Sequence, residues 1–437
     1  MKPGRILALI LVAGLGLRLA YGAISPPYDS TTPGGPSVAS LNAPPPPGSD
    51  QYECQVIADN LVRGAGYRGI SWGQPQEHLT AYRPPVIPAT WALWFAVFGH
   101  RFDVVRLADI LYGTLSLFLL FLIGRRMFNE RVGLMAAAAL AAWPAAIQLS
   151  SGLLTETLYV MLELLFVWLC LWAGDRPTLA RFVPAGLCAG LATLTRPNLL
   201  LLLPLLPLWS VVVFRRDWRA LVKSLAVPVA AVAVIAPWTA RNYLVFHKII
   251  PVSTLSGTNL LIGNNDLVLK YPDRMGYMLD DKIPGFQERA RGLDEAERDE
   301  LALQMAKTWL RNNRDRWKSL VWLKVKQFCS PFLRQPSRLA RWAMMLSWGP
   351  VLPLALPALV TTFWGFARDK DVGLIVHILI LSALAGYFIV YVIPRYRFPI
   401  EPLFILLAAA TMDWLVKCLS ARKGGHLPTA EGLPADA

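Results

Sequence analysis

The sequence predicts an all-α polytopic membrane protein with about ten transmembrane helices and two long outer segments. Three observations predict it. First, hydrophobic residues make up 55% of the 437 and charged residues only 16%, where a water-soluble chain needs about 25% charged residues. Mean hydropathy is +0.42. Second, apolar runs close to the length of a bilayer crossing recur along the chain. Third, Lys and Arg collect in every second connection, which is the signature of membrane orientation. Collagen, coiled coil, disulfide scaffold and disordered protein are excluded. The net charge of +14 does not predict a nucleic-acid partner, because no basic helix or aromatic RNA-binding motif accompanies it.

The expected crossings are 5–23, 103–124, 132–149, 153–173, 182–195, 197–214, 221–238, 341–366, 372–393 and 398–417. An even number puts both termini on one side. The charges make that side cytoplasmic: each inner segment holds at least two basic residues, as in Arg125, Arg126 and Arg131 or Arg215, Arg216, Arg219 and Lys223. Residues 1–23 also look like a signal peptide. Arg18 interrupts the apolar run just before any cleavage site, so a retained anchor is expected. Val86–Gly99 is apolar but too short to cross, and reads as a juxtamembrane or re-entrant helix on the outer side. The run 182–214 is broken at Thr195-Arg196-Pro197 with basic residues on both flanks. It reads as a hairpin with Arg196 at its outer tip, although one broken span is the alternative.

The first outer segment, 24–102, opens with a Pro/Gly/Ser-rich stretch expected to be irregular. A helix is expected to follow from Gln51 to Arg63, with Asp50 as N-cap. The second, 239–340, ends in an amphipathic stretch, Arg316–Phe328, that reads as an interfacial helix. Residues 1–423 form one transmembrane domain and 424–437 a disordered cytoplasmic tail. Five cysteines (Cys54, Cys170, Cys188, Cys329, Cys418) are scattered without metal-ligand spacing.

The polar residues with chemical potential fall on one side of the predicted membrane. Asp50 and Glu53 lie in the first outer segment, Glu156 just inside the outer end of 153–173, Arg241 and Asn242 after 221–238, and Arg395, Tyr396 and Arg397 between the last two spans. Carboxylates supply a general base or hold a metal ion, and guanidinium groups bind phosphate through paired donors. Both together at headgroup level suit a phosphorylated lipid reacting with an outside acceptor. Each residue also has a plainer reading. Asp50 caps its helix, Glu53 and Asp59 are solvated helix charges, Arg395 and Arg397 snorkel to lipid headgroups, and His247, without a companion at ligand spacing, is structural or a surface residue. Glu163, two turns beyond Glu156, supports it or lines a cavity. A carboxylate within a span is costly, so Glu156 is the hardest to assign to structure alone.

The motifs IADNLVRGAGY at 57–67 behind Asp50, RPPVIP at 83–88, LLTET at 153–157, LTRP at 194–197, PWTARNY at 237–243, IPVSTLSGTNLLIGNN at 250–265 and PRYRFPIEP at 394–402 together resemble the bacterial GT-C membrane glycosyltransferases. Within these, the likeness is to the protein-mannosyltransferase and aminoarabinose-transferase relatives, the dolichyl-phosphate-mannose or family-39-like enzymes. It covers roughly 5–415. The resemblance implies a GT-C-like bundle in a bacterial inner membrane that moves a sugar from a polyprenyl-phosphate donor to a lipid, glycan or protein acceptor on the outer face, with inversion. It gives Asp50 and Glu156 the catalytic positions, and Arg241, Arg395 and Arg397 the lipid-linked phosphate, with Tyr396 beside them. Arg83, Arg196, Asn242 and Asn264 shape the cavity. The adjacent Asp-Glu pair of the eukaryotic mannosyltransferases is absent, since Gln51 follows Asp50, so the sequence requires no divalent metal ion. The alternative class is a secondary transporter, which would place ionisable groups near the midplane and repeat its halves, or a lipid-handling membrane protein without transferase activity.

Overall fold

A computed structural model describes residues 2–24, 42–71, 74–272, 275–276, 283–331, 338–369 and 371–423. The tail 424–437 and most of the Pro/Gly/Ser-rich stretch lie outside the described residues. The helices of the bundle are α1 (Pro3–Ile24), α2 (Asp50–Val62), α3 (Val86–Phe98), α4 (Phe102–Met127), α5 (Glu130–Ala141), α6 (Pro144–Leu149), α7 (Thr155–Asp175), α8 (Leu179–Thr195), α9 (Leu206–Phe214), α10 (Trp218–Ser224) and α11 (Ala226–Phe246). After these come α12 (Ser256–Gly263), α13 (Asp266–Lys270), α14 (Phe286–Arg289), α15 (Glu295–Asn312), α16 (Trp317–Cys329), α17 (Arg338–Asp369), α18 (Leu374–Ile389), α19 (Pro394–Arg397) and α20 (Glu401–Lys423).

Among the described residues, seven helical segments are long and apolar enough to cross a membrane: Pro3–Ile24, Phe102–Met127, Thr155–Asp175, Pro197–Phe214, Trp218–Phe246, Arg341–Phe366 and Pro394–Ala421. The protein is therefore an all-α, multi-pass membrane protein. The other three expected crossings are shorter. Those at 182–195 and 372–393 become the apolar helices α8 and α18, while 132–149 is two helices, α5 and α6, rather than one. Pro144 explains the break: it has no N–H to give the carbonyl of Leu140 and starts a new helix. Arg18, 1% exposed in α1, fills the gap by donating to the carbonyls of Leu140 and Ala141 at 3.4 Å and to Ser150 Oγ at 3.3 Å.

The stretch 182–214 is a hairpin. α8 ends at Thr195, Arg196 is extended, and a 3-10 turn runs from Pro197 to Leu201. The rings of Phe182 and Phe214, at the two far ends, meet at 5.7 Å, so the halves run side by side with Arg196 at the tip. Glycine permits the closest crossings. A Cβ on Gly133 would sit 2.5 Å from the carbonyl oxygen of Phe121, which holds α5 against α4.

One antiparallel hairpin, β1 (Arg68–Ser71) and β2 (Gln74–Leu79), pairs Arg68 with Leu79 and Gly69 with His78. It lies in a region the sequence assigned no strand. α3 packs on α2 through the buried faces of Trp91 and Phe95. α16 buries Leu320, Lys324 and Phe328 and exposes Trp317, Val321 and Trp322, the amphipathic division expected of it.

Candidate active site

Ser49, not Asp50, caps α2: its side chain accepts from the backbone N–H of Tyr52 at 3.2 Å. Asp50 is the first residue of the helix, and its carboxylate is free to turn sideways. One oxygen accepts from Arg83 Nη2 at 2.5 Å and the other from Arg395 Nη1 at 2.7 Å. Arg395 reaches on, its Nε donating to Glu156 Oε1 at 2.5 Å. Arg196, from the hairpin tip, donates to the same oxygen at 2.6 Å and to Thr155 Oγ1 at 2.5 Å. Arg83 Nε donates to Glu53 Oε2 at 2.5 Å. Three carboxylates and three guanidinium groups thus alternate in a continuous chain, drawn from α2, the loop before α3, α7, the α8–α9 turn and α19.

Local structure explains how each arrives. Arg83 follows a segment clamped on several sides. The Glu295 carboxylate accepts from Thr80 Oγ1 at 2.6 Å, from the Ala81 N–H at 2.9 Å and from Thr254 Oγ1 at 2.5 Å. Tyr67 Oη donates to the carbonyl of Arg83 at 2.7 Å. Glu156, with no exposed surface, is presented by a turn in which Leu153 takes a left-handed φ of 55°. A buried leucine disfavours that conformation, and such strain is held where the surroundings over-determine it. Gln51 Nε2, donating to the carbonyl of Gly152 at 3.2 Å, ties the turn to α2. Tyr396 lies with its ring 5.2 Å from the Arg196 guanidinium, and its hydroxyl is 3.4 Å from that of Tyr391.

Four predicted residues lie apart from the chain of charges. Arg241 donates to the carbonyls of Thr80 at 2.7 Å and Tyr67 at 3.0 Å and stacks against Trp238, which makes it a brace for the Arg83 segment. Asn242 donates to the carbonyl of Ile250 at 3.0 Å. Arg397 pairs with Glu401 at 2.8 Å and donates to the carbonyls of Phe328 and Ser330, so it neither snorkels nor faces Arg395. Asn264 accepts from Lys324 Nζ at 2.9 Å. His247, a C-cap with φ 53°, is exposed as expected. Glu163 accepts from Tyr159 Oη at 3.0 Å inside α7.

Glu53 corrects the expectation of a solvated charge: it is 8% exposed. Three-residue spacing from Asp50 puts both on one side of α2, a signal that was available in the sequence. Asp59 pairs with His100 at 2.9 Å. Burial raises the Asp50 carboxyl, but Arg83 and Arg395 outweigh it and hold the group well below its ordinary value. Burial dominates at Glu53, lifting its carboxyl to about 7 against the pull of Arg83, with Asp50 adding to the rise. Among the described residues no group of three His, Cys, Asp or Glu side chains converges to hold a metal ion. The carboxylates of this site face guanidinium groups, which disfavours a divalent cation among them.

Residues 82–240, which include Arg83, Glu156 and Arg196, match the family described as dolichyl-phosphate-mannose-protein mannosyltransferase. The undecaprenyl phosphate-alpha-4-amino-4-deoxy-L-arabinose arabinosyl transferase of Pseudomonas aeruginosa is 33% identical over 178 residues, 39% of this chain and 32% of that protein. A second such transferase, from Pseudomonas fluorescens, is 30% identical over 199 residues, 42% of this chain and 32% of its own length. The matches therefore span about a third of these relatives.

Among solved structures, the archaeal oligosaccharyltransferase AglB from Archaeoglobus fulgidus, in complex with an inhibitory peptide and a dolichol-phosphate, superposes with a TM-score of 0.59 at 13% identity, covering 100% of this chain and 52% of that one. ArnT from Cupriavidus metallidurans, bound to undecaprenyl phosphate, gives 0.52 at 16% identity, covering 99% and 68%. The fold is thus shared with these two membrane proteins. The matched segment is similar to the mannosyltransferase family and to the aminoarabinose transferases, and the fold is similar to that of ArnT and AglB.

Proposed function

We propose that this protein is an integral-membrane glycosyltransferase that moves a sugar from a polyprenyl-phosphate donor to a lipid, glycan or protein acceptor at the outer face of a bacterial inner membrane, both termini being cytoplasmic. The observation that carries the reading is Arg395, which comes from the C-terminal part of the chain and bridges Asp50 and Glu156 of the N-terminal part. A phosphate arriving there would compete for the same donors, because guanidinium forks match phosphate as well as carboxylate. Arg395 and Arg196 would turn to it and leave Asp50 with Arg83. Asp50 then removes the proton from an acceptor hydroxyl or amine. The bond from acceptor to anomeric carbon forms as the bond from that carbon to the phosphate oxygen breaks, and the polyprenyl phosphate departs with the electron pair. Attack opposite the leaving group inverts the sugar. The arginines stabilise the charge that grows on the leaving phosphate, the kind of fixed electrostatics that supplies much of an enzyme's rate. Tyr396 and Thr155 border the same space and orient the donor. No step is assigned to a metal ion.

The test is transfer in proteoliposomes from a panel of labelled polyprenyl-phosphate sugars, with envelope extract as acceptor. Label released from one donor by wild type, and lost in a folded Asp50→Asn variant, identifies the sugar. Transfer that persists in both Asp50→Asn and Arg395→Ala would refute the assignment.

A further inference from the structure

Glu53 has no part in the steps above, yet it is enclosed beside them. Its Oε2 and Asp50 Oδ1 each lie 2.5 Å from nitrogens of the one Arg83 guanidinium. Along the chain of charges the other two carboxylates each meet two arginines, Asp50 with Arg83 and Arg395, and Glu156 with Arg395 and Arg196. Among the described residues Glu53 forms an ion pair with Arg83 alone. A buried carboxylate with one shared cation is incompletely compensated, and the two acids divide that cation between them.

We propose that Glu53 is a positioning residue whose charge sets how much of Arg83 is left for Asp50, and thereby how readily Asp50 takes the proton of the acceptor. The inference rests on the function proposed above. The charged groups facing Glu53 are Arg83 from the loop before α3, Asp50 from its own helix and Glu295 from the start of α15. Of the other elements packed on α2, β2 brings the carboxylate of Glu77, which accepts from Asn60 Nδ2 at 2.8 Å two turns along the helix from Glu53. α3 has no ionisable side chain, and Arg68 of β1 turns to the carbonyl of Glu77 at 3.3 Å.

The direction follows from the geometry. When Glu53 is protonated, the whole Arg83 charge bears on Asp50 and makes it a poorer base. When Glu53 ionises, it draws Arg83 away and Asp50 becomes a better one. Glu53 is lifted to about 7, so turnover rises with pH across neutrality, a limb that Asp50, held far lower, cannot itself produce.

Glu53→Gln keeps the size of the side chain and an amide oxygen for Arg83 Nε. Two measurements on protein in proteoliposomes test the idea: turnover at saturating donor from pH 5.5 to 8.5, and infrared difference spectra of the resting protein over the same range. Wild-type turnover is expected to rise between about three- and tenfold, as a general base gaining up to a unit of basicity would. Glu53→Gln should run flat at the low plateau. A protonated-carboxyl band should vanish near pH 7 in wild type and be missing from Glu53→Gln. An active Glu53→Gln that keeps the wild-type limb, or a wild-type spectrum without the band, overturns the inference. Absence of transfer by wild type with every donor refutes instead the function proposed above, and the infrared band still decides whether Glu53 carries the proton.

Discussion

Replacing Arg395 with Gln tests the centre of the site. The side chain is 9% exposed and makes three contacts, at 2.5 and 3.4 Å to Glu156 and 2.7 Å to Asp50. Removing one partner of a buried ion pair costs about 3–5 kcal/mol. Glu156 keeps Arg196 and Asp50 keeps Arg83, so the loss should lie at the lower end, about 3 kcal/mol. The kinetic loss has another origin. One fixed donor aimed at developing charge is worth about 10²–10³ in rate, and Arg395 is the donor that the proposed mechanism sets against the phosphate. The assay is single-turnover transfer from the identified donor at saturation, alongside thermal unfolding in the same detergent. The reasoning fails if Arg395→Gln transfers within about threefold of wild type while folded. Arg397→Gln is the companion measurement. It breaks a buried pair of the same kind two residues away, and its expected loss appears in melting temperature, with the transfer step intact.

Three further outcomes are expected. Ser49→Ala removes the cap of α2 and should lower stability by about 1 kcal/mol in chemical denaturation, whereas Asp50→Asn should leave the helix start intact and abolish transfer. His78 donates to the Glu295 carboxylate at 3.0 Å, a contact that raises its pKa above the ordinary 6.5. The stability this contributes is full below pH 6.5 and is lost as pH climbs through the raised value, so the melting temperature should fall more steeply across that window in wild type than in His78→Gln. Gly133→Ala would drive a methyl into the carbonyl of Phe121 at 2.5 Å. Overpacking of this kind costs about 1–3 kcal/mol, and an unchanged melting curve would show that the α4–α5 crossing is looser than described.

Much of this fold is legible because a membrane imposes its own period: apolar runs of bilayer length, with cations on alternate connections, need no tertiary information. The site is legible for the same reason. Asp50, Glu156, Arg196 and Arg395 were each traceable to the same end of a bundle, and all four are joined there, Asp50 to Glu156 through Arg395 and Arg196 through Glu156. Ranking among the arginines was not legible. Arg395 and Arg397 are two residues apart on a single helical turn, so they point to nearly opposite sides. Only Glu401, four residues after Arg397, hints in the sequence that Arg397 has its own partner. Arg83 and Arg241 both sit in outer segments, and what separates them is the β1–β2 closure and the Glu295 clamp, contacts between residues more than two hundred positions apart. The break at Pro144 was visible as a proline, but its compensation by Arg18 requires α1 to lie alongside, which no local pattern states.

The α8–α9 hairpin gives the site an unexpected exposure to its surroundings. α8 has 17 residues, a reach of about 25 Å, short of a hydrocarbon layer of about 30 Å. Bilayers thicker than a span deform around it or change its tilt, and a tilt of this hairpin displaces Arg196, the residue at its tip that holds Glu156. Acyl-chain length would then act as a dial on the proposed transfer, which would run at different speeds in thin and thick membranes with donor and acceptor unchanged.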